Sequence, residues 1–248
     1  MAVSNIVTHT ITVYDVCTGD VVRSFGGRGD DPRRMKFPWK LCLAPNGNIL
    51  VAEYGNNRVQ EFTLAGNHVR FIGVGVINAA FHGIACNCDT IVVTKYSHPG
   101  HRQVLMFEYV SGALLRSFGD YGRAEGQLSC GIGGVRFTPD NRHIIIAEQY
   151  NNRLSLFTVE GAFVKCIGVG AGLNCPADVE FAPNSDIIVA SRGDHRIVMF
   201  SADGSTVLRS FGDEGSGPGQ FKYPTALAMQ SGQLFVLDRD NTRVQVFC

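Results

Sequence analysis

One ten-residue motif recurs along this chain at nearly regular intervals. Clear copies occupy residues 53–62, 148–157, 191–200 and 238–247, and a degenerate copy ends at Phe107 with Gln103 in the arginine position. The repeated residues of the motif are Arg58, Arg153, Arg196 and Arg243, with Phe62, Phe107, Phe157, Phe200 and Phe247. Successive phenylalanines are 45, 50, 43 and 47 residues apart. A period of about 40–50 residues is typical of repeat architectures such as β-propellers.

Each repeat contains four short strand-like segments separated by turn residues. The second segment is a continuous apolar run, as in 49–51 and 144–146, which indicates a strand covered on both faces. An X-Gly pair such as Ala65-Gly66 separates the third segment from the fourth, as is typical of hairpins. Four antiparallel strands joined by tight turns form a propeller blade, so the sequence predicts an all-β propeller of four-stranded blades.

The two ends of the chain decide how many blades are predicted. Residues 11–26 match only the third and fourth strands of a blade, and the last repeat ends after a third strand at Cys248. The sequence therefore predicts a six-bladed propeller with about five and a half blades present. The alternative is a five-bladed ring in which Val22–Gly26 pairs at the outer edge of the last blade, because an open ring leaves unpaired strand edges.

The repeat resembles the NHL repeat over most of the chain. Three copies open with Pro38, Pro176 and Pro224, and an Asn-x-Arg core is present at 56–58, 151–153 and 241–243. The resemblance implies a single NHL-repeat propeller domain over residues 1–248. The second copy departs from the pattern, because it lacks the opening proline and has Lys95 where the family has an acidic residue.

The resemblance also implies a function. NHL propellers are known as protein-binding platforms, often in TRIM-type ubiquitin ligases; some bind single-stranded RNA, and relatives of amidating lyases are metal enzymes. We therefore expect a non-enzymatic scaffold that binds a protein or peptide, as the substrate-recognition part of a ubiquitin-ligase-type protein. Single-stranded RNA binding and metal-dependent lyase or hydrolase activity are the alternatives. No RING or B-box cysteine–histidine pattern is present in the sequence.

The composition limits which cellular compartment and which class of partner we expect for this protein. Lys and Arg together number 22, as do Asp and Glu, so net charge provides no overall attraction to nucleic acid or to an anionic membrane. The sequence has no apolar run of the ~20 residues that a spanning helix needs, and its first residues lack the features of a signal peptide. We expect a monomeric cytoplasmic protein without membrane contact, whose eight cysteines are free thiols.

The sequence offers no pattern typical of catalysis or of a cofactor. No nucleophile–base pair or phosphate-binding loop is visible, and no carboxylate pattern accompanies the histidines, so we expect no catalytic residue, metal or cofactor. The repeated arginines are predicted to be structural, each pairing with backbone or with an acid of the adjacent blade. Glu53, Glu148 and Asp238 share one repeat position and are expected to be those partners or turn caps.

Two sets of connections are predicted to emerge on one face of the blades, those from strand four to the next strand one and those from strand two to three. Aromatic residues interleaved with cations there can anchor a peptide or stack bases. Trp39, the only tryptophan, follows the most basic linker and is the main anchor candidate. The candidate binding residues on this face are Arg28, Arg33, Arg34, Trp39, Tyr54, Asn57, Tyr96, His101, Tyr150, Asn152, Arg192, His195 and Arg239.

Overall fold

A computed structural model describes residues 1–78, 81–95, 103–129 and 131–248, apart from the side chain of Phe81. These residues form 22 strands in six small antiparallel sheets, with only two 3-10 helices, at Arg192–Asp194 and Arg239–Asn241. Each sheet is a meander in which strands adjacent in sequence pair with each other. The fold class is therefore the predicted one, an all-β propeller, and we number its sheets as blades 1 to 6 in chain order.

The first compact unit ends at Phe118 and contains blades 1 to 3. Blade 1 consists of β1 (Ala2–Asn5), β2 (Thr10–Tyr14) and β3 (Val21–Gly26). Blade 2 consists of β4 (Pro38–Leu43), β5 (Ile49–Glu53), β6 (Arg58–Phe62) and β7 (His68–Ile72). Blade 3 consists of β8 (Phe81–Cys86), β9 (Thr90–Lys95), β10 (Val104–Glu108) and β11 (Leu114–Phe118).

The second compact unit runs from Gly119 to Cys248 and contains blades 4 to 6. Blade 4 consists of β12 (Ile132–Phe137), β13 (His143–Glu148), β14 (Arg153–Thr158) and β15 (Phe163–Ile167). Blade 5 consists of β16 (Pro176–Phe181), β17 (Ile187–Ser191), β18 (Arg196–Phe200) and β19 (Val207–Phe211). Blade 6 consists of β20 (Pro224–Gln230), β21 (Gln233–Asp238) and β22 (Arg243–Phe247).

The second strands of the four-stranded blades are deeply buried, as their apolar runs predict. Every residue of β5 and of β17 is buried, and in β13 only His143 is partly exposed. The core lies between neighbouring blades: Leu50 and Phe107 belong to one cluster of blades 2 and 3, and Val189 belongs to one of blades 4 and 5. Removing such apolar surface from water stabilises the fold by about 1.5–3 kcal/mol per fully buried side chain.

The N-terminal region contains one strand more than the sequence predicts. Strand β1 pairs with β2, with Ala2 opposite Val13 and Asn5 opposite Thr10. Blade 1 therefore has three strands, and the 22 strands of the described residues amount to five and a half four-stranded blades, which agrees with the predicted count. The short segment Ala2-Val3-Ser4-Asn5 was missed because it is too short and too polar to show a strand period.

The five-bladed alternative is wrong. Strand β3 contains Val22–Gly26 and pairs with β2 of its own blade, so it is the fourth strand of blade 1. In the described residues, blade 6 consists of three strands and its order ends at β22. The two incomplete blades thus differ: blade 1 has strands in the second to fourth positions, whereas blade 6 has strands in the first to third positions. The single domain over residues 1–248 stays a prediction.

Candidate partner-binding site

In both units, the loop joining the second and third strands of a blade packs on the linker that enters the same blade. In blade 2, Tyr54 N donates to Phe37 O at 3.1 Å and Gly55 N donates to Lys36 O at 3.0 Å. In blade 5, Gly193 N donates to Asn174 O at 2.9 Å. These loops and linkers therefore lie on one side of the blades of each unit, a surface that we call the loop face of that unit.

In four blades the repeated arginine donates hydrogen bonds to the linker that enters its own blade. In blade 4, Arg153 Nε donates to Glu148 Oε1 at 2.8 Å, while its Nη2 donates to the carbonyl oxygens of Ala124 at 2.9 Å and Gln127 at 3.0 Å. The acid lies in the second strand of the arginine's own blade rather than in the adjacent blade. A planar guanidinium suits this arrangement because it can serve a carboxylate and several carbonyl groups at once.

Blades 2 and 6 contain the same arrangement with different surroundings of the acid. Arg58 Nε donates to Glu53 Oε1 at 2.9 Å, and Arg243 Nε donates to Asp238 Oδ2 at 2.8 Å. Burial raises the pKa of Glu53 above its ordinary value despite the hydrogen bonds from Arg58 and Asn56. Burial acts on Asp238 in the same direction, but hydrogen bonds from Lys222 N, Asn241 and Arg243 outweigh it and lower the pKa of Asp238.

Blades 3 and 5 depart from the arrangement. In blade 5, Ser191 takes the place of the acid, and Arg196 donates to Gly172 O at 2.8 Å while lying 3.6 Å from Asp194. In blade 3 the acid is replaced by Lys95, whose Nζ donates to Asn78 Oδ1 at 3.0 Å. Burial lowers the pKa of Lys95. In blade 3 the cation, Lys95, thus lies in the second strand, whereas the repeated arginines of the other blades lie in the third strand.

The residue before each repeated arginine adopts a left-handed backbone. In blades 4 and 5 this residue reaches the next blade, and in blade 1 His9, which precedes Thr10 at the same repeat position, does so too. Asn152 has φ 52° and its Oδ1 accepts a hydrogen bond from Cys175 N at 2.9 Å. His195 has φ 57° and its Nδ1 accepts from Tyr223 N at 3.3 Å, as His9 Nδ1 accepts from Phe37 N at 2.9 Å. Asn57 has the same backbone, with φ 51°. The side chains of Asn152 and His195 therefore link neighbouring blades at the loop face.

The first unit brings three aromatic rings together on its loop face. The ring of Trp39 lies 6.0 Å from that of Tyr54 and 6.2 Å from that of His82. Trp39 is 38% exposed and Tyr54 is 43% exposed, although their rings are in contact. Burial, and to a smaller extent the nearby charge of Lys40, lowers the pKa of His82, which favours a neutral ring at physiological pH. We call Trp39, Tyr54 and His82 the aromatic patch.

The linker before Trp39 contains both charged pairs and exposed cations. Lys36 Nζ lies 2.8 Å from Asp30 Oδ2, and Arg34 donates to Arg28 O at 3.4 Å. Arg28, Arg33 and Arg34 are exposed, and Arg33 has a left-handed backbone with φ 74°. The linker therefore presents three guanidinium groups to solvent on the same unit that contains the aromatic patch.

The second unit has a smaller aromatic cluster of its own. The guanidinium of Arg192 lies 5.6 Å from the centre of the Tyr223 ring, which is 4.6 Å from the ring of His195. Tyr150 is 61% exposed, and Arg239 lies 3.6 Å from Asp240. Tyr223 was not among the predicted residues. The signal that could have found it is the residue before the opening proline, which is aromatic both there and at Phe37.

Two of the predicted binding residues, Tyr96 and His101, lie outside the described residues. Within the described residues, no group of three or more His, Cys, Asp or Glu side chains is placed to hold a metal ion. Neither of the two short helices in that part of the chain could cross a membrane.

A second repeated cation was missed by the sequence analysis. The fourth strands have a basic residue at one position: Arg23 donates to Ala65 O at 2.6 Å, and Lys165 donates to Asp203 O at 2.5 Å. Arg70 donates in the same way to the carbonyl oxygens of Tyr109 and Val110. Each of these cations thus contacts the turn between the third and fourth strands of the next blade. The recurrence of Arg or Lys at the third residue of each fourth strand was the available signal.

The fold and the recurring arginine–linker contacts define a class, a β-propeller of homologous blades. Residues 35–62 and 221–247 match the family model of the NHL repeat, so this β-propeller contains NHL repeats in those two segments. Part of the chain is 41% identical over 80 residues to the rat (Rattus norvegicus) peptidylglycine alpha-amidating monooxygenase, a match that covers 29% of this chain and 8% of that protein. Another part is 46% identical over 43 residues to the Xenopus tropicalis E3 ubiquitin-protein ligase TRIM71, covering 17% of this chain and 5% of that one. The matches thus span less than a tenth of either relative.

Solved structures share the fold over nearly the whole chain. A chain of a nidogen/laminin complex superposes with a TM-score of 0.73 and 14% identity, covering 96% of this chain and 86% of that one. A streptogramin B lyase superposes with a TM-score of 0.68 and 13% identity, covering 99% of this chain and 78% of that one. At this identity the likeness concerns the fold alone, because one fold can host many unrelated functions.

Proposed function

We propose that this NHL propeller is a non-enzymatic scaffold that binds a protein or peptide partner, with the aromatic patch as its anchor. The observation that supports the proposal is the contact of three rings at 6.0–6.2 Å while Trp39 and Tyr54 stay about two-fifths exposed. Aromatic side chains held rigidly at a surface contribute large contact area for little loss of side-chain entropy, and Trp and Tyr are enriched among binding hot spots.

The position of Trp39 favours binding over packing as the reason for a large ring. Equivalent positions after the opening proline are occupied by Ala177 and Thr225, so a blade can form with a small residue there. The main-chain oxygen of Trp39 accepts a hydrogen bond from Ser4 Oγ at 3.1 Å, a contact that any residue at this position could make. The indole is therefore free to contribute to a partner interface without being required by the strand.

The test is quantitative partner capture from an extract of the source cell with Trp39→Ala. We expect melting to be nearly unchanged and partner recovery to fall about tenfold, which corresponds to about 1.4 kcal/mol. Tyr121→Ala is the matched control, because Tyr121 is 41% exposed in the second unit and should bind as the wild type does. A Trp39→Ala protein that melts several degrees lower and still captures its partners normally would assign the indole to the fold.

Single-stranded RNA is the second candidate partner, supported by the exposed Arg28, Arg33 and Arg34 on the unit that has the aromatic patch. Bases could stack on the rings while these cations contact phosphates. Titration of a labelled single-stranded RNA at several salt concentrations separates the two partners. A protein partner predicts no RNA binding at physiological salt, whereas Trp39-dependent binding that weakens steeply with salt would establish RNA.

A metal-dependent lyase or hydrolase is the third candidate, supported by the partial match to the rat amidating monooxygenase and the fold of the streptogramin B lyase. Elemental analysis of the purified protein tests it, since bound metal in stoichiometric amount would favour an enzyme. The scaffold proposal further includes a cytoplasmic, monomeric protein with a substrate-recognition role in a ubiquitin ligase. Imaging of the tagged protein, and ubiquitination of captured partners in the same cells, test these two points.

A further inference from the structure

The second unit has an open cavity between blades 4 and 5, at the end of the strands away from its loop face. Its volume of about 320 Å³ is at the small end of the range of roughly 300–1,000 Å³ that is usual for ligand pockets. The floor is apolar: Ile145, Ile167 and Ile187 are at most 3% exposed, while Leu156 and Phe181 are partly exposed. The cavity therefore has the size and the polarity that suit a small, largely apolar molecule.

Polar groups from the turns of both blades form the rim of this cavity. Lys165 Nζ donates to Asp203 O at 2.5 Å, which uses one of the three N–H groups of the ammonium. The carboxylates at the rim accept hydrogen bonds within their own turns, Asp140 from Thr138 Oγ1 at 2.6 Å and Asp203 from Ser201 Oγ at 2.5 Å. The ammonium of Lys165 therefore has donors left for a ligand, whereas the rim carboxylates already have donors of their own.

The first unit shows what fills the equivalent space between blades 2 and 3. Tyr109, two residues after the repeated phenylalanine, packs against a core cluster that includes the counterparts of the three isoleucines, namely Leu50, Ile72 and Ile91. The hydroxyl of Tyr109 donates to Glu61 Oε1 at 3.2 Å, and Arg70 Nε lies 2.7 Å from Glu61 Oε2. A ring, a carboxylate and a cation therefore lie together in this space.

Blades 4 and 5 retain only one of these three groups. The cation is present, because Lys165 corresponds to Arg70. Ala202 takes the place of the tyrosine, so its methyl group leaves the space of a ring open. Leu156 takes the place of the glutamate, so the lysine faces an apolar side chain where the arginine faces a carboxylate. The cavity thus results from two side-chain differences within the repeat, and the groups that would complete it are a ring and an acid.

We propose that the cavity between blades 4 and 5 binds a small aromatic carboxylic acid. The ring of the acid would pack on Leu156 and Phe181, and its carboxylate would accept hydrogen bonds from Lys165 Nζ and from the ring of His143, which also lines the cavity. Hydrogen bonds between charged groups are roughly twice as strong as neutral ones, which favours a carboxylate over an uncharged polar group. An aromatic side chain of a partner protein would supply the ring but not the acid, so a free small molecule is the expected occupant. This site is separate from the aromatic patch and does not depend on it.

The probe is 3-phenylpropionate, titrated with the full chain and followed by ligand-observed NMR. We expect saturable binding with a Kd of about 1 mM or tighter, since a ligand of this size gains little free energy from its few atoms. The matched control is 3-phenylpropylamine, which has the same ring and the opposite charge and should bind more weakly by about fivefold. Binding of the amine as tight as that of the acid would contradict the assignment, because the rim carboxylates would then decide the specificity.

Charge at Lys165 tests which group contacts the carboxylate. Lys165→Gln should weaken binding of 3-phenylpropionate by about two- to fivefold, as expected for an exposed pair, and leave the melting temperature unchanged. Lys165→Glu should reverse the preference, so that the amine binds more tightly than the acid. Arg209→Gln is the control, since Arg209 is the exposed cation at the same position of the next fourth strand and should leave binding unchanged.

Filling the cavity tests its location. Ala202→Phe places a ring where Tyr109 lies in the first unit, so it should abolish binding of the acid while the protein melts at the same or a higher temperature. A folded Ala202→Phe protein that binds the acid as the wild type does would overturn the proposal. So would binding that ignores the charge at position 165, a test that holds even if Ala202→Phe fails to fold. Absence of saturable binding for both 3-phenylpropionate and the shorter phenylacetate would overturn it as well.

Discussion

Arg153 connects three parts of blade 4: its second strand, its third strand and the linker that enters it. Because Glu148 is fully buried and the arginine side chain is 9% exposed, Arg153→Ala leaves a buried carboxylate without its positively charged partner and two carbonyl groups without their donor. We expect the free energy of unfolding to fall by about 3–5 kcal/mol. Chemical denaturation measures it, and Arg142→Ala, an exposed arginine of the same blade, should stay within about 0.5 kcal/mol.

Arg153→Lys separates charge from geometry at the same position. A lysine retains the positive charge near Glu148 but lacks the planar fork that serves the carbonyl groups of Ala124 and Gln127. An intermediate loss of stability is therefore expected. Full stability of the lysine variant would show that charge alone is sufficient, and that the contacts to the linker contribute little.

Glu61 provides the clearest dependence of stability on pH. Burial would raise its pKa, but hydrogen bonds from Asn48, Arg70 and Asn46 outweigh burial, and the net shift is downward. A lowered carboxyl pKa contributes stability that is present above the unfolded pKa of about 4.3 and is lost as the pH falls through the folded value. Glu61→Gln should therefore be less stable at pH 7 and should lose less stability than the wild type on acidification. Parallel pH profiles of the two proteins would contradict this.

The contacts of residues that recur across the repeats were predictable from the sequence, whereas contacts between side chains of different blades were not. The recurrence of Arg58 and its relatives predicted their contacts with backbone and with Glu53, Glu148 and Asp238, although not that the acid belongs to the same blade. Trp39 and Tyr54 were predicted to share a face, but the contact of Trp39 with His82 could not be predicted, because His82 comes from another blade. Likewise, the hydrogen bond that Tyr223 N donates to His195 Nδ1 depends on the packing of two blades.

Among the strands, the second of each blade should be the most sensitive to loss of volume. Val51, Ile145 and Val189 are fully buried. Val51 lies in the core of blades 1 and 2, and Ile145 and Val189 lie in the core of blades 4 and 5. Replacement of any one by Ala should cost on the order of 1–4 kcal/mol through lost burial and the cavity left behind. Val110→Ala, at an exposed turn position, is the control. Unchanged stability in all three core variants would contradict the register of β5, β13 and β17.

Strand type was predictable wherever the apolar pattern was strong. The apolar runs at 49–51 and 144–146 predicted buried strands, and they lie in β5 and β13, which are buried. Strand β1 was not predictable, because its pairing with β2 and the contact of Ser4 with Trp39 depend on tertiary structure rather than on a local period. The fourth strands were placed correctly, but the contact of Arg23 with Ala65 O requires knowledge of the next blade.

For the whole chain, the repeat period predicted the fold class, but the terminal strands decided the number of sheets. Residues 11–26 read alone suggested half a blade or a strand donated to the last blade, and both interpretations depended on which strand β3 would pair with. Strands β2 and β3 pair as a local hairpin. Closing this short loop costs less conformational entropy than pairing β3 with a strand near the other end of the chain.

Hydrogen exchange should show how pairing and burial differ among the third strands. Third strands β6, β14 and β18 pair on both sides, so their amides open only with their blades, whereas β22 pairs on one side and has no buried residue. We expect β22 to exchange fastest of these four strands, because local opening follows from few buried contacts and exposed backbone hydrogen bonds. Protection of β22 equal to that of β6 would contradict the one-sided pairing of β22 and its lack of buried residues.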